Sequence, residues 1–148
     1  MSLIVNKKAG FNYELLDKYE AGLELLGNEV KSLRAGHGSL DGSYIILKNN
    51  EAFLIGAKIP PYQPNNTEAG YKDERARKLL LSKSELNHMI GKVEERGLTL
   101  IPLSVYNKGR FLKLNFALAK GKKKYDKRAA IKEREDKRFI DRLMKQSH

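Results

Sequence analysis

The stretch Leu98–Ala119, LTLIPLSVYNKGRFLKLNFALA, consists of two apolar segments on either side of the polar sequence Asn107–Arg110. The second segment alternates large apolar residues with small or polar ones, which is the period of a half-buried strand. Its alternating residues are Leu112, Leu114, Phe116 and Leu118. Pro102 lies inside the first segment and predicts an edge or a β-bulge there, because proline cannot donate to a strand ladder. The stretch therefore predicts two antiparallel strands joined by a short turn.

The sequence upstream predicts further strands. Residues Ser43–Gly56, SYIILKNNEAFLIG, contain two apolar runs joined by Asn49 and Asn50, and asparagine tolerates the left-handed backbone of a hairpin turn. Residues 13–25 fit both an alternating strand and one apolar face of a helix, so periodicity leaves both readings open. Residues 58–77 contain three prolines and few apolar side chains, which predicts a long loop.

The clearest helix signal is Leu81–Gly97, LSKSELNHMIGKVEERG. Ser82 and Glu85 have the spacing of a capping box, and Gly97 is a C-terminal stop. Its apolar stripe is Leu86, Met89, Ile90 and Val93.

A second, shorter helix is predicted over Gly27–Gly36, GNEVKSLRAG, with Asn28 as its N-cap and Gly36 as its stop. Several antiparallel strands with two or three short helices predict a mainly β domain, either a barrel or a sandwich.

The chain is strongly basic: its 148 residues carry a formal net charge of +11, with a pI of about 9.8. Residues 120–148 hold twelve Lys or Arg and five Asp or Glu, so most of the excess charge lies in the last fifth of the chain. Such a balance favours a polyanionic partner, nucleic acid first and an anionic membrane surface second. It also predicts two parts, a folded domain over 1–119 and a basic C-terminal tail over 120–148.

Catalysis and membrane insertion are not favoured. No apolar stretch approaches the roughly 20 residues of a membrane span, and no leader pattern begins the chain, which predicts a cytoplasmic protein. There is no cysteine, and His37, His88 and His148 are scattered, so no metal and no cofactor are predicted. No phosphate-binding P-loop is present. We predict a binding protein; a nuclease or RNA-modifying enzyme is the weaker alternative.

Four motifs occur in order between Asn6 and Met144: YEAGLELLGNEVKSLRAG, ERARKLLLSKSEL, GLTLIPLSVYNKGRFLKLNFALAKGKKKYDKR and IKERE. Together they resemble the SmpB (small protein B) family of bacterial SsrA-binding proteins. The resemblance implies an OB-like antiparallel β-barrel and assigns residues 13–25 to a strand. It also implies an adaptor of trans-translation, not an enzyme, that binds the tRNA-like domain of transfer-messenger RNA (tmRNA) and delivers it to stalled ribosomes. A generic single-stranded RNA-binding module or RNA chaperone is the alternative.

The resemblance assigns tmRNA binding to Glu20, to Leu80 and to Ser82, which stands where many members have asparagine. Each has a simpler explanation: a surface ion pair for Glu20, core packing for Leu80 and the helix cap for Ser82. Phe11 follows Gly10 where many members have a basic residue and a histidine, and its ring could stack on a base. Basic residues add candidate phosphate contacts. The full set of predicted tmRNA-binding residues is Asn6, Lys7, Lys8, Phe11, Glu20, Lys31, Arg34, Arg75, Arg77, Lys78, Leu80 and Ser82.

The resemblance also implies a role for the tail, which is disordered in the free protein and helical in the empty message channel of the ribosome. Tyr125 corresponds to the residue that packs on ribosomal RNA at the decoding centre of the small subunit. The apolar pair Leu143 and Met144 is required late in the tail. The implied partners are tmRNA and the ribosome, with the protein acting as a monomer and without a membrane; a plain solubility tail is the simpler alternative. The predicted ribosome-binding residues are Lys120, Gly121, Lys122, Lys123, Lys124, Tyr125, Asp126, Lys127, Arg128, Leu143 and Met144.

Overall fold

The computed structural model describes residues 2–63 and 69–121, which form seven β-strands and three α-helices. The strands are β1 (Ser2–Val5), β2 (Tyr13–Leu23), β3 (Tyr44–Lys48), β4 (Glu51–Ile55), β5 (Arg77–Leu80), β6 (Thr99–Lys108) and β7 (Phe111–Gly121). The helices are α1 (Ala9–Asn12), α2 (Gly27–Arg34) and α3 (Lys83–Arg96). The predicted mainly β fold with short helices is confirmed, and residues 13–23 are a strand, as the resemblance implied.

All strand pairings are antiparallel, and their order is β1-β6-β3-β4-β5-β2-β7 with an additional pairing of β6 with β7. Because the pairing returns to β6, six strands form a closed ring, consistent with an OB-like barrel. The shortest strand pairing in the ring is that of β3 with β6, in which Ile45 and Leu100 are the one registered pair. Strand β1 lies on the same edge of β6, beside Ser104–Tyr106.

Pro102 marks a β-bulge, because the register of β6 against β7 shifts between Pro102 and Ser104. Of the two alternatives that Pro102 predicted, the structure has the bulge and not the edge, since β6 has partners on both sides. The bulge divides the outer edge of β6 between β3 and β1. Asn6 holds the divided edge, since its Nδ2 donates to the Pro102 carbonyl at 2.9 Å and its N–H donates to the Leu103 carbonyl at 2.7 Å.

The barrel interior is filled by alternating residues of the strands. Leu112, Leu114, Phe116 and Leu118 of β7 are all buried, as their alternation predicts. Helix α3 contributes Leu86 and Met89 to the same cluster, and α2 contributes Leu33.

The turn and cap predictions are largely confirmed. Asn49 and Asn50 have φ values of 53° and 60°, the left-handed geometry of a tight hairpin turn between β3 and β4. Ser82 caps α3 and Gly97 ends it with a φ of 62°. The N-cap of α2 was predicted at Asn28, which is wrong.

Helix α2 begins two residues earlier, with Leu26 as its N-cap. Leucine has no side-chain acceptor, so the hydrogen bond at the start of the helix runs from the backbone N–H of the cap residue to a side chain in the first turn. The Glu29 carboxylate accepts a hydrogen bond from the Leu26 N–H at 2.8 Å.

Strand β7 extends to Gly121, two residues beyond the predicted domain boundary. Lys120 pairs with Glu14 of β2, and Gly121 pairs with Tyr13. These two residues were assigned to the tail, but they lie in the sheet. The division into a domain and a tail is otherwise untested, because the rest of the tail lies outside the described residues.

Candidate RNA-binding surface

The outer face of β2, β7 and β6 carries a cluster of charged and polar side chains. Leu112 and Leu114 face the core, so the alternate positions Lys113 and Asn115 face outward. Glu20 pairs with Asn115, and Tyr106 pairs with Lys113, which places all four on one face. The Glu20 carboxylate accepts a hydrogen bond from Lys108 Nζ at 2.9 Å across this face.

The Glu20 carboxylate is held in its charged form. Hydrogen bonding from the Tyr106 hydroxyl, and then from Lys108, lowers the pKa of Glu20. In turn, burial of the Tyr106 hydroxyl and its interaction with Glu20 raise the pKa of Tyr106 to about 12. Glu20 therefore has the surface ion pair that the simpler explanation predicted. The same pair also fixes the position of a lysine on the outer face.

An open apolar groove of about 310 Å³ lies at the end of β2 nearest this cluster. It is called the Leu80–Phe111 groove here, after its two most exposed apolar residues. Leu80 is 54% exposed and Phe111 is 70% exposed, so core packing does not explain Leu80. The groove is lined by Gly22, Leu23, Leu25, Val30, Leu80, Arg110, Phe111, Leu112 and Lys113.

Basic side chains border this groove. Arg34 Nη2, at the end of α2, donates to the Arg110 carbonyl at 2.9 Å and so fixes the β6–β7 turn against the helix. Lys31 is exposed on the same helix, one residue after the groove residue Val30. Lys113 lines the groove directly. The predicted contacts Lys31 and Arg34 therefore lie near Leu80, whose strand neighbour is Gly22.

Ser82 and Lys78 both have structural partners. Ser82 Oγ accepts a hydrogen bond from the Glu85 N–H at 3.2 Å, which confirms the capping role, and its residue is exposed. Lys78 Nζ lies 3.7 Å from the Glu51 carboxylate, and both side chains are about half exposed. Both residues remain accessible beside Leu80.

The prediction that Arg77 contacts a phosphate is wrong, because its side chain is 0% exposed. Its guanidinium donates through Nε and Nη2 to Glu29 Oε2 at 2.9 Å and 2.6 Å, and through Nη1 to the Ala57 carbonyl at 2.7 Å. Arg75 is partly exposed, but it too donates to Glu29, from Nε to Oε2 at 3.0 Å and from Nη2 to Oε1. Both arginines are therefore held by one buried carboxylate.

Glu29 is a structural residue that the sequence predictions missed. Tyr71 completes its surroundings, because the Tyr71 hydroxyl lies 3.2 Å from Glu29 Oε2. The same hydroxyl donates to the Ile59 carbonyl at 2.6 Å and accepts from Arg77 Nη2 at 3.3 Å. Burial by itself raises the pKa of Glu29. Hydrogen bonds from Arg75, from the Leu26 N–H and from Arg77 outweigh burial and lower it. Charge pairing of this kind links α2, the loop before β5 and β5 itself.

The predicted N-terminal contacts lie in a different region. Asn6 and Lys8 line an open groove of about 590 Å³ together with Tyr13 and Gly121. Tyr13 and Gly22 are separated by most of β2, roughly 30 Å for an extended strand. Asn6 already donates to Pro102, while Lys7 and Lys8 are exposed and Phe11 is half-buried. The candidate residues thus form two separate surfaces.

Of the predicted tail residues, Lys120 and Gly121 are exposed at the end of β7, beside this second groove. The others, Lys122–Arg128, Leu143 and Met144, lie outside the described residues. Within residues 2–63 and 69–121 there is no cluster of three potential metal ligands. Among the helices in those ranges, none has the length and apolar character to cross a membrane.

A ring of antiparallel strands whose outer face combines exposed apolar residues with Lys and Arg defines a basic, OB-like barrel of the nucleic-acid-binding class. The family model described as "SmpB protein" matches residues 3–146. The chain belongs to the SmpB family.

Relatives and a solved structure agree with this assignment. An SsrA-binding protein of Nostoc punctiforme is 50% identical over 140 residues, which are 95% of this chain and 90% of the relative. One of Paraburkholderia xenovorans is 48% identical over 145 residues, 98% of each chain. The solved structure described as "tmRNA-SmpB: a journey to the center of the bacterial ribosome" matches with a TM-score of 0.66 and 45% identity, over 81% of this chain and 84% of that one.

Proposed function

We propose that this protein is the tmRNA-binding adaptor of trans-translation, which brings the tRNA-like domain of tmRNA to stalled ribosomes. The observation that carries this function is the near-complete match to proteins named SsrA-binding, at 48% to 50% identity. The matched structure is one of tmRNA and SmpB in the bacterial ribosome, which supports the ribosome as the second partner. The protein acts by binding, without catalysis, in the cytoplasm.

The barrel performs the first step by binding folded RNA with its outer face. Lys108, Lys113, Lys31 and Arg34 supply positive charge on or beside that face, and phosphate contacts provide much of the affinity of such surfaces. A carboxylate repels phosphate, so Glu20 acts through Lys108. The 2.9 Å ion pair holds the ammonium over the face and reduces the freedom that it would lose on binding.

The tail performs the second step. Its net positive charge suits a channel lined with ribosomal RNA. In this scheme Tyr125 packs on RNA at the decoding centre, and Leu143 and Met144 contribute the apolar contacts of a helix that forms in the message channel. Sensing an empty channel in this way distinguishes a stalled ribosome from one that holds a message.

A decisive experiment is to purify the native protein from its cells and sequence the RNA that copurifies with it. We expect tmRNA to be strongly enriched over other small RNAs. A matched test in vitro compares the isolated tRNA-like domain with an unstructured RNA of equal length. Equal affinity for both would contradict the adaptor role and favour the single-stranded RNA-binding module.

The role of Glu20 is tested with Glu20→Gln, Lys108→Met and the double variant, using affinity for the tRNA-like domain at several salt concentrations. If Glu20 acts by positioning Lys108, the double variant binds no more weakly than Lys108→Met, and Lys108→Met lowers the salt slope by about 1. Fully additive losses would contradict positioning and indicate that Glu20 contacts the RNA itself. Glu74→Gln, which removes an exposed carboxylate from a different ion pair, is the matched control.

A further inference from the structure

The β3–β4 hairpin carries apolar side chains on both of its faces. The inner residues join the main core, and they are Ile45, Leu47, Ala52 and Leu54. The outer apolar residues are Tyr44, Ile46, Phe53 and Ile55, and in the described part of the chain they belong to neither buried cluster. These four outer side chains are called the hairpin face here.

Cross-strand pairing gathers the hairpin face into one block. Tyr44 lies opposite Ile55, and Ile46 lies opposite Phe53. Tyr44 is 45% exposed and the other three are half-buried, so the block leaves apolar surface in contact with water. A solvated sheet face normally carries polar residues at its outward positions, as β7 does at Lys113. An apolar outer face therefore points to a partner that covers it.

The charges beside the hairpin face lie at its turn end. Lys48 stands opposite Glu51 there, and Lys78 Nζ lies 3.7 Å from the Glu51 carboxylate. An apolar centre with charged residues at its rim is the anatomy of a protein–protein interface. RNA suits this face poorly, because bases stack on flat exposed rings and two of the four side chains are branched isoleucines. The chemistry of the face therefore favours a protein partner.

The hairpin face continues into the groove from which the tail departs. Tyr44 lines that groove together with Gly121, the last described residue of β7. Under the proposed function the tail enters the message channel, so the side of the barrel at Gly121 is turned toward the ribosome. The hairpin face is thus continuous with the surface that meets the ribosome.

We propose, taking the adaptor function above as given, that the hairpin face docks on an apolar segment of a protein of the small ribosomal subunit. That segment packs against Ile46 and Ile55 at the centre of the face and against Tyr44 at its groove end. Four side chains are too few to hold a partner by themselves. Here the contact forms within a complex that RNA and the tail already hold together, so a small face still adds to binding.

The direct test replaces Ile55 by the photo-crosslinking residue benzoylphenylalanine in the full-length protein, in stalled ribosome complexes assembled with tmRNA. We expect a crosslink to one protein of the small subunit, identified by mass spectrometry. The same replacement of Leu16, an exposed apolar residue on β2 outside the hairpin face, is the control and should not give that product. A crosslink from position 55 to RNA alone, or no crosslink in complexes that contain the protein, overturns the proposal.

A pair of substitutions measures the strength of the contact. Ile46→Thr combined with Ile55→Thr removes apolar surface while keeping residues that favour strands. We expect the affinity of the protein–tmRNA complex for stalled ribosomes to fall about 10-fold, the effect of uncovering roughly one buried aliphatic side chain. Affinity for the isolated tRNA-like domain should stay the same, since Ile55 lies beyond the Leu54–Arg77 pair, at the opposite end of β5 from Leu80. Leu16→Thr is the matched control and should change neither affinity.

The outcomes separate this contact from the function on which it rests. If the wild type fails to prefer the tRNA-like domain over unstructured RNA, or fails to sediment with stalled ribosomes when tmRNA is present, the adaptor function itself fails. If the wild type does both and the double variant, shown by its melting temperature to be folded, binds stalled ribosomes as tightly, the docking contact is overturned.

Discussion

Glu29 is the residue on which the most hydrogen bonds converge in the described part of the chain. It is fully buried and yet charged, and this is stable only because Arg75, Arg77 and the Leu26 N–H all donate to it. The pairing ties a helix, a loop and a strand together. Leu80 lies on β5, the strand that this cluster anchors.

Removing one partner of this cluster is expected to be costly. Arg77→Met leaves Glu29 buried with fewer donors, and we expect it to lower the free energy of unfolding by about 3 kcal/mol, the lower part of the range for a broken buried ion pair, because Arg75 remains. Chemical denaturation measures this. Lys58→Met, which breaks an exposed ion pair on the same loop, is the control and should cost less than about 1 kcal/mol. Equal effects of the two variants would contradict a buried, energetically distinct cluster.

The charge of Glu29 also gives stability a pH dependence. Its folded pKa lies below the ordinary value of 4.5, so the unfolded chain takes up the proton first as the pH falls. The stabilisation from this carboxylate is therefore complete above about pH 4.5 and is lost as the pH falls through the folded pKa. The stability difference between wild type and Glu29→Gln should be constant from pH 7 to about 5 and shrink below that. A difference that grows on acidification would show that the pKa is raised instead.

Single residues also show where sequence reasoning stops. A lysine or arginine in a polar-looking stretch is normally solvated, and this led to the wrong prediction for Arg77. The period of β5 carries the correction: Arg77 alternates with the buried Leu79, while Lys78 and Leu80 face outward. The partner of Arg77 is 48 residues away in sequence, so no local pattern identifies Glu29 as its acceptor.

At the scale of elements, local chemistry predicted most of the fold. The Asn49–Asn50 turn, the Ser82–Glu85 capping box and the alternation in β7 all depend on neighbours within a few residues. The failure at the start of α2 has a physical cause. Asn28 is a better cap by propensity, but the buried position of Glu29 places its carboxylate over the Leu26 N–H and moves the start of the helix.

Helix α3 offers a prediction that depends on propensity alone. Gly91 lies in its interior, and a Cβ added there meets no atom within 4 Å. Gly91→Ala should therefore raise the free energy of unfolding by up to about 1 kcal/mol. Ser82→Ala in the same helix removes the cap and should lower it by about 1 kcal/mol. Thermal and chemical denaturation check both, and a destabilising Gly91→Ala would show a packing constraint that is absent from the structure.

The fold of the whole molecule places the two candidate surfaces at opposite ends of β2. The ring of strands brings Glu20 and Leu80 together from chain positions 60 residues apart and separates both from Asn6. Sequence reasoning listed these residues as one set because spacing along the chain does not reveal which strands become neighbours. The second surface includes Gly121, where the described part of β7 ends, so the tail begins far from the Leu80–Phe111 groove.

This separation predicts that the chain can be divided without loss of RNA recognition, provided that the cut respects β7. A protein ending at Gly121 keeps the Lys120–Glu14 and Gly121–Tyr13 pairs of the barrel. It should unfold cooperatively near the melting temperature of the full chain and bind the tRNA-like domain with the same salt slope. A protein ending at Ala117 is the control, since it loses Leu118 and Ala119 from the core and should be clearly less stable.

The same truncated protein should fail to support peptide tagging on stalled ribosomes, because the proposed function assigns that step to the tail. Tagging in a reconstituted translation system measures it, with full-length protein as the reference. Weaker electrostatic attraction between the shortened chain and tmRNA would not explain such a loss. The binding assay measures that affinity separately, and we expect the shortened chain still to bind tmRNA. If the protein ending at Gly121 sustains tagging at the full rate, recognition and ribosome entry both belong to the barrel, and the tail serves solubility.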